Sequence, residues 1–169
     1  MSLSNITDHI AYMSREAEAS LVNIVYERKN SRSGSYYEIF WYHWPRDGVF
    51  PWEDFEPIVF AYNEKQKLCF VLIRRGWKMI FMNPEDVSWP PEILFKGSTH
   101  HQFVRMTVDP FGELDQSNLT ELETVNVTFS RLTLINSSNN SYIPSWNISG
   151  LGESIYERIR KAMLELCER

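Results

Sequence analysis

Four carboxylates, Asp47, Glu53, Asp54 and Glu56, crowd a stretch of ten residues. Side chains this rich in oxygen can hold a hard divalent cation, which binds through carboxylate and carbonyl oxygens. In extended backbone successive side chains point to opposite sides, so Asp54 and Glu56 share one side and Phe55 takes the other. Asp47 can add a third oxygen from across the loop, and His43, His100 or His101 a nitrogen. Asp47, Asp54 and Glu56 are therefore the candidate metal ligands, with calcium or magnesium the cation such a set would take. Two other readings stay open. A carboxylate pair can do general acid–base work when both groups reach one substrate position, with Asp54 or Glu56 as base and His101 as acid. A short run of acids is also commonly a solvated loop.

Aromatic residues interleave with these acids. The run Tyr36-Tyr37-Glu38-Ile39-Phe40-Trp41-Tyr42-His43-Trp44 precedes them, and Trp52, Trp77, Trp89 and Trp146 complete the tryptophans. Binding pockets combine aromatic walls with a few polar groups. That rule gives a recess lined by Trp41, His43, Trp52, Trp77 and His101, with Asp47, Asp54 and Glu56 at its mouth. Its ligand would be a small molecule, a glycan or a lipid headgroup. Packing in the core or at strand ends is the competing role for the tryptophans, because aromatic rings supply large buried area. Adjacent His100 and His101 face opposite ways on extended backbone, so at most one serves a given site. No G-x-S-x-G, P-loop or G-x-G-x-x-G occurs, and no residue is assigned a catalytic role.

The elements that must position these residues follow from periodicity. Ile6, Ile10, Met13 and Ala17 recur at helical spacing, which predicts a helix from Ser4 to about Ala19. Leu21 to Arg28 and Tyr36 to Trp44 read as strands around the turn-rich Lys29–Ser35. Ile58–Tyr62 and Leu68–Ile73 form a second hairpin pattern, followed by strands at Lys78–Met82, Glu92–Lys96 and His101–Val108. Leu122 to Ile135 alternates as a strand, with a bulge at Ser130-Arg131 if the alternation is to keep its phase. Asn136 to Asn147 reads as a surface loop. Leu151, Ile155, Ile159, Met163 and Leu166 mark an amphipathic C-terminal helix. The expected fold is α+β: one domain over residues 1–169, with an antiparallel β-sandwich core flanked by N-terminal and C-terminal helices.

Bulk properties narrow the class. A chain of 169 residues with 43% hydrophobic content can bury a substantial core. Its net charge of -5 argues against a nucleic-acid partner, which needs concentrated basic surface. Arg74, Arg75 and Lys78 read as solvated charges at strand edges or in loops. No apolar run reaches the ~18–20 residues of a membrane span. Cys69 and Cys167 are too few for a disulfide framework, and Cys69 reads as a small core residue. A cytoplasmic location is expected. Six Asn-x-Ser/Thr triplets, at Asn5, Asn118, Asn126, Asn136, Asn139 and Asn147, would matter if the protein is secreted or displayed on a surface.

Ile39-Phe40-Trp41-Tyr42-His43-Trp44-Pro45-Arg46-Asp47 and Trp52-Glu53-Asp54-Phe55-Glu56 together resemble necrosis-inducing-type proteins and, more distantly, Vps62-type proteins. The first segment is similar to that family's aromatic strand, Tyr-Ala-Trp-Tyr-Phe-Pro-Lys-Asp, and the second to its Gly-His-Arg-His-Asp-Trp-Glu loop. Pro91-Glu92-Ile93-Leu94-Phe95 with the later His100-His101 resembles its Pro-x-Val segment. The similarity spans residues ~20–105. It implies a β-sandwich with a divalent-metal site at one end, Asp47, Asp54 and Glu56 matching the carboxylate ligands. The family's ligand histidines fall near Pro51 and Arg75 here. The membrane damage that family members cause has no counterpart motif in this chain.

The expected function is a non-enzymatic ligand-binding module. A hydrolase using a carboxylate pair or a metal, and a structural or interaction protein pairing through its C-terminal helix, are the alternatives.

Overall fold

The computed structural model describes residues 6–107, 125–127, 132–134, 143–149 and 152–168. The bulge expected at Ser130-Arg131 and most of the loop expected from Asn136 lie outside them. The described residues form a sheet-rich α+β protein. One sheet has four strands: β1 (Ile10–Met13), β7 (Glu92–Lys96), β8 (His101–Val104) and β9 (Val125–Val127), in the order β8-β7-β1-β9. The other has six: β2 (Asn23–Asn30), β3 (Tyr36–Trp44), β4 (Asp54–Tyr62), β5 (Leu68–Arg75), β6 (Lys78–Met82) and β10 (Leu132–Leu134), in the order β10-β2-β3-β4-β5-β6. Helices α1 (Arg15–Ser20), α2 (Ser145–Ser149) and α3 (Ile155–Leu166) complete it, with a 3-10 turn at Pro84–Asp86. No helix among the described residues is long and apolar enough to cross a membrane.

Strands β2 to β6 pair as an antiparallel meander, as their turn-separated apolar runs predict. Strand β3 is buried along nearly its whole length because it is covered on both faces. On one face Phe40, Tyr42 and Trp44 join Ala11, Met13, Ile93, Phe95 and Val104 of the four-stranded sheet in one apolar cluster. On the other, Ile39 and Trp41 pack with Ile155, Ile159 and Met163 of α3. Buried polar groups bind the layers. Glu27 accepts from Trp41 Nε1 at 2.8 Å and from the Tyr156 hydroxyl at 2.6 Å, tying α3 to the sheet. Glu38 accepts from Thr7 N at 3.1 Å and from the Tyr26 hydroxyl at 2.7 Å, which fixes the segment leading into β1.

Several expectations are corrected. Within the helix expected over Ser4–Ala19, Ile10–Met13 is a strand and Arg15–Ser20 a short helix, Ser4 and Asn5 lying outside the described residues. Ile10–Met13 finds partners on both sides, parallel to β7 and antiparallel to β9, and those ladders override a helical spacing that also alternates at Ala11 and Met13. Helix α1 starts at Arg15, where the Ser14 side chain accepts from Ala17 N. The sheets are mixed rather than antiparallel throughout, since β1 pairs with β7 and β10 with β2 in parallel. The alternating stretch after Leu122 supplies two strands to different sheets. Within the surface loop expected from Asn136 to Asn147, Ile143 and Asn147 are buried and α2 begins at Ser145, with Ser145 and Trp146 exposed. Leu166 is exposed. Cys69 is only partly buried, and its thiol donates to the Lys67 carbonyl at 3.5 Å.

Candidate functional site

The site is opened by Pro57. Proline has no backbone donor and interrupts a ladder on the side to which that donor would point. The β3–β4 ladder runs unbroken from Tyr36↔Tyr62 to Trp44↔Asp54, whereas the β4–β5 ladder ends at Ile58↔Ile73, one residue short of Pro57. Without a Pro57 N–H to donate to the Arg74 carbonyl, the next pair does not close, and the Pro57 carbonyl and the Arg74 N–H are paired from another strand instead. Gln102 of β8, fully buried, takes both: its Nε2 donates to Pro57 O at 2.9 Å and its Oε1 accepts from Arg74 N at 3.2 Å. The Arg74 guanidinium donates to Phe55 O at 2.6 Å and to Asn147 O. Past this clamp lies a cleft of about 330 Å³, lined by Asp47, Phe50, Asp54, Glu56, Arg74, Gly76, Trp77, Thr99, His101, Trp146 and Asn147.

The floor is acidic and buried. Asp54 and Glu56 stand opposite Trp44 and Tyr42 in the ladder, on one face of β4, and both are buried. Phe55 points to the other face, where it stacks on His43 with ring centroids 4.0 Å apart. His100, in the β7–β8 turn, holds Asp54: its Nδ1 lies 2.7 Å from Asp54 Oδ2 and its ring stacks on Trp44 at 3.9 Å. His100 adopts a left-handed φ of 56°, a conformation histidine tolerates better than most residues. Burial drives the Glu56 carboxyl well above the ordinary range, the Asp54 charge and a hydrogen bond to Asp54 add to the shift, and Arg74 opposes it. Asp47 is also raised, by burial first and then by the charge of Asp54, against a hydrogen bond from Trp52. Three atoms at this cleft have no hydrogen-bond partner within the protein: Glu56 Oε2, Asn147 Oδ1 and Asn147 Nδ2, on side chains 5% and 1% exposed.

The rim is aromatic and open. Phe50, Trp77 and Trp146 come from the β3–β4 loop, the β5–β6 turn and α2, and all three are exposed. Two glycines shape it. Gly48, at φ +62°, lets the β3–β4 loop turn against the Ser98 carbonyl, and a Cβ there would press on Thr99 Cγ2 at 3.3 Å. Gly76, also at φ +62°, turns β5 into β6 and presents Trp77.

Of the residues expected to form a site, Asp47, Asp54, Glu56, Trp77 and His101 line this one cleft. Trp41, His43 and Trp52 do not. Trp41 is fully buried in the core beneath α3. His43 lies on the opposite face, within 2.9 Å of Glu53 and 3.2 Å of Asn23. Trp52 stacks on Phe50 at 4.5 Å and supports Asp47 from outside. Arg74, expected as a solvated charge, is buried and organises the cleft. Asn147 could not be found from sequence as a site residue, because its role depends on where α2 lands. Gln102 carried one usable signal, the proline inside an apolar strand, which demands a side chain elsewhere to take the orphaned ladder groups. Among the described residues, no three His, Cys, Asp or Glu side chains are gathered in a way that could hold a metal ion.

Comparison with protein-family models, with curated proteins and with solved structures finds no match to this chain.

Proposed function

We propose that this protein is a non-enzymatic ligand-binding module, its two sheets stacked as a β-sandwich with the binding cleft at the Pro57 end. The resemblance to necrosis-inducing-type proteins points to the same end of a sandwich. The observation that carries the reading is the set of unpartnered polar atoms on Glu56 and Asn147. A buried polar group without a partner costs about 1–3 kcal/mol, and a fold that keeps two such side chains at one cleft is suited to a ligand that completes them. A volume of about 330 Å³ falls at the small end of the range for ligand pockets. A sugar unit or a headgroup-sized molecule, resting on Trp77 and Trp146, meets both conditions. A resident divalent cation is not part of this reading, because Asp54 is engaged by His100 and the carboxylates are not gathered into a cage. The two unpaired cysteines are in keeping with a reducing compartment.

Tryptophan emission, titrated with a panel of soluble sugars and headgroup analogues, tests the reading. At least one should shift the emission of the wild type and fail to do so in Trp77→Ala and Asn147→Leu. Asn147→Leu should keep or raise the melting temperature, because it removes a buried amide that has no partner. A silent panel, with Asn147→Leu strongly destabilised, would show that Asn147 serves packing alone. One observation favours a second reading, a carboxylate-dependent hydrolase: Glu56 and Asp54 share one face of β4 in a cleft that His101 also lines, with the proton affinity of Glu56 displaced upward. Turnover of a bound ligand that is lost in Glu56→Gln would move the assignment there.

A further inference from the structure

We propose that the ligand of this cleft is a small organic ammonium cation, an amine or quaternary ammonium of roughly choline size. This rests on the reading of the cleft as a ligand site and adds the charge and class of what enters it.

The argument starts from charge. Asp47 and Asp54 line the cleft against one guanidinium, Arg74, with His101 also in the lining, while burial and the Asp54 charge favour the neutral form of Glu56, which adds no further negative charge. Arg74 is committed to the backbone carbonyls of Phe55 and Asn147. The cleft therefore disfavours an anion and leaves negative charge for an incoming cation. The rim fits the same guest. Ring faces attract cations through their quadrupole, and enclosure of an ammonium group by several aromatic side chains is a recurrent solution to binding it. Phe50, Trp77 and Trp146 line the mouth from three separate elements and remain exposed, Phe50 with one face covered by Trp52. The unpartnered Glu56 Oε2 and Asn147 side-chain amide supply acceptors and a donor for an N–H or hydroxyl carried by the same molecule. A bare metal ion would make no use of the rings and would need a cage of ligands that these side chains do not form. A neutral sugar would use the rings and the orphan atoms but leave the carboxylates uncompensated.

The test compares choline and tetramethylammonium with 3,3-dimethylbutan-1-ol, the uncharged carbon analogue of choline, and with methyl glucoside, all at fixed ionic strength. Calorimetry and tryptophan emission are read on the full chain. Choline should bind about tenfold or more tightly than its neutral analogue, a ratio within the range of cation–aromatic attraction. Trp77→Ala and Asp47→Asn should each weaken choline severalfold, with circular dichroism confirming that both variants fold. If the neutral analogue or the glucoside binds as well as choline, the cation assignment falls and the small-ligand reading stands. If choline binds equally to wild type and to both variants, the cleft is not its site and the proposal is overturned. Silence from choline and tetramethylammonium also overturns it, and silence from the sugar and headgroup panel as well removes the ligand-binding reading with it.

Discussion

Glu56 carries a stability consequence that follows from its surroundings. Its carboxyl is buried and faces Asp54, with Asp47 adding negative charge and Arg74 opposing both. The folded-state pKa is raised, so below the unfolded-state value both states hold the proton and the group is neutral to folding. As pH rises past that value the unfolded chain ionises while the folded one does not, and stability falls until the folded pKa is reached. Each unit of displacement corresponds to about 1.4 kcal/mol. Glu56→Gln keeps the shape and can still donate to Asp54, so it should raise the urea midpoint at pH 7–8 and leave it unchanged near pH 4. Denaturation curves of wild type and variant across that range check this. A variant less stable than wild type at pH 8 would mean that Glu56 is ionised and paired in the folded protein.

At the level of elements, the Pro57 gap and its Gln102 clamp decide where the cleft lies. Gln102→Leu preserves bulk but leaves the Pro57 carbonyl and the Arg74 N–H without partners. At about 1–3 kcal/mol for each orphaned group, the loss should be about 2–6 kcal/mol in chemical denaturation. A loss under about 0.5 kcal/mol would mean that the strands close up unaided. The gap also explains which parts of the protein could be read in advance. Strands β6 and β7 coincide with their sequence-derived bounds, because each is a short apolar run between turn residues. Strand β1 was masked by helical spacing, since its ladders come from β7 and β9, far along the chain. Asp47, Asp54, Glu56, Trp77 and His101, singled out by residue type, gather at one cleft. Arg74 and Asn147 acquire their roles only where β4 parts from β5 and α2 settles on the opening, contacts that no local pattern encodes. Trp41 and His43 were misassigned for a related reason. Alternation places them on the face of β3 beneath α3 and away from the cleft, but which face would carry the cleft was not written in β3.

Across the whole molecule, the join between the two sheets sets the response to acid. His9, just ahead of β1, is buried against Phe40, Tyr42 and Phe60 of the six-stranded sheet, and its Nε2 lies 2.7 Å from the Tyr42 hydroxyl. Burial lowers its pKa from 6.5 to about 4. The folded protein therefore holds His9 neutral while the unfolded chain takes up a proton below pH 6.5. Stability attributable to this group is complete above pH 6.5 and drains away as pH falls toward 4, by about 3 kcal/mol in all. Glu56 acts in the opposite direction, its contribution falling as pH rises above the ordinary carboxyl range. From the ordinary carboxyl range up to the folded Glu56 pKa the slope of Glu56 opposes that of His9, which ends at pH 6.5. The wild type should thus show a shallow profile through mildly acidic pH. Glu56→Gln should uncover the His9 slope, gaining on the wild type as pH rises above the ordinary carboxyl range. His9→Gln should do the reverse, closing the gap to wild type by about 3 kcal/mol as pH falls from 7 to 4. Urea midpoints for the three proteins at half-unit pH steps separate the two groups. If the difference between His9→Gln and wild type does not vary with pH, His9 is protonated alike in both states and the sheets meet around it more loosely than its burial implies.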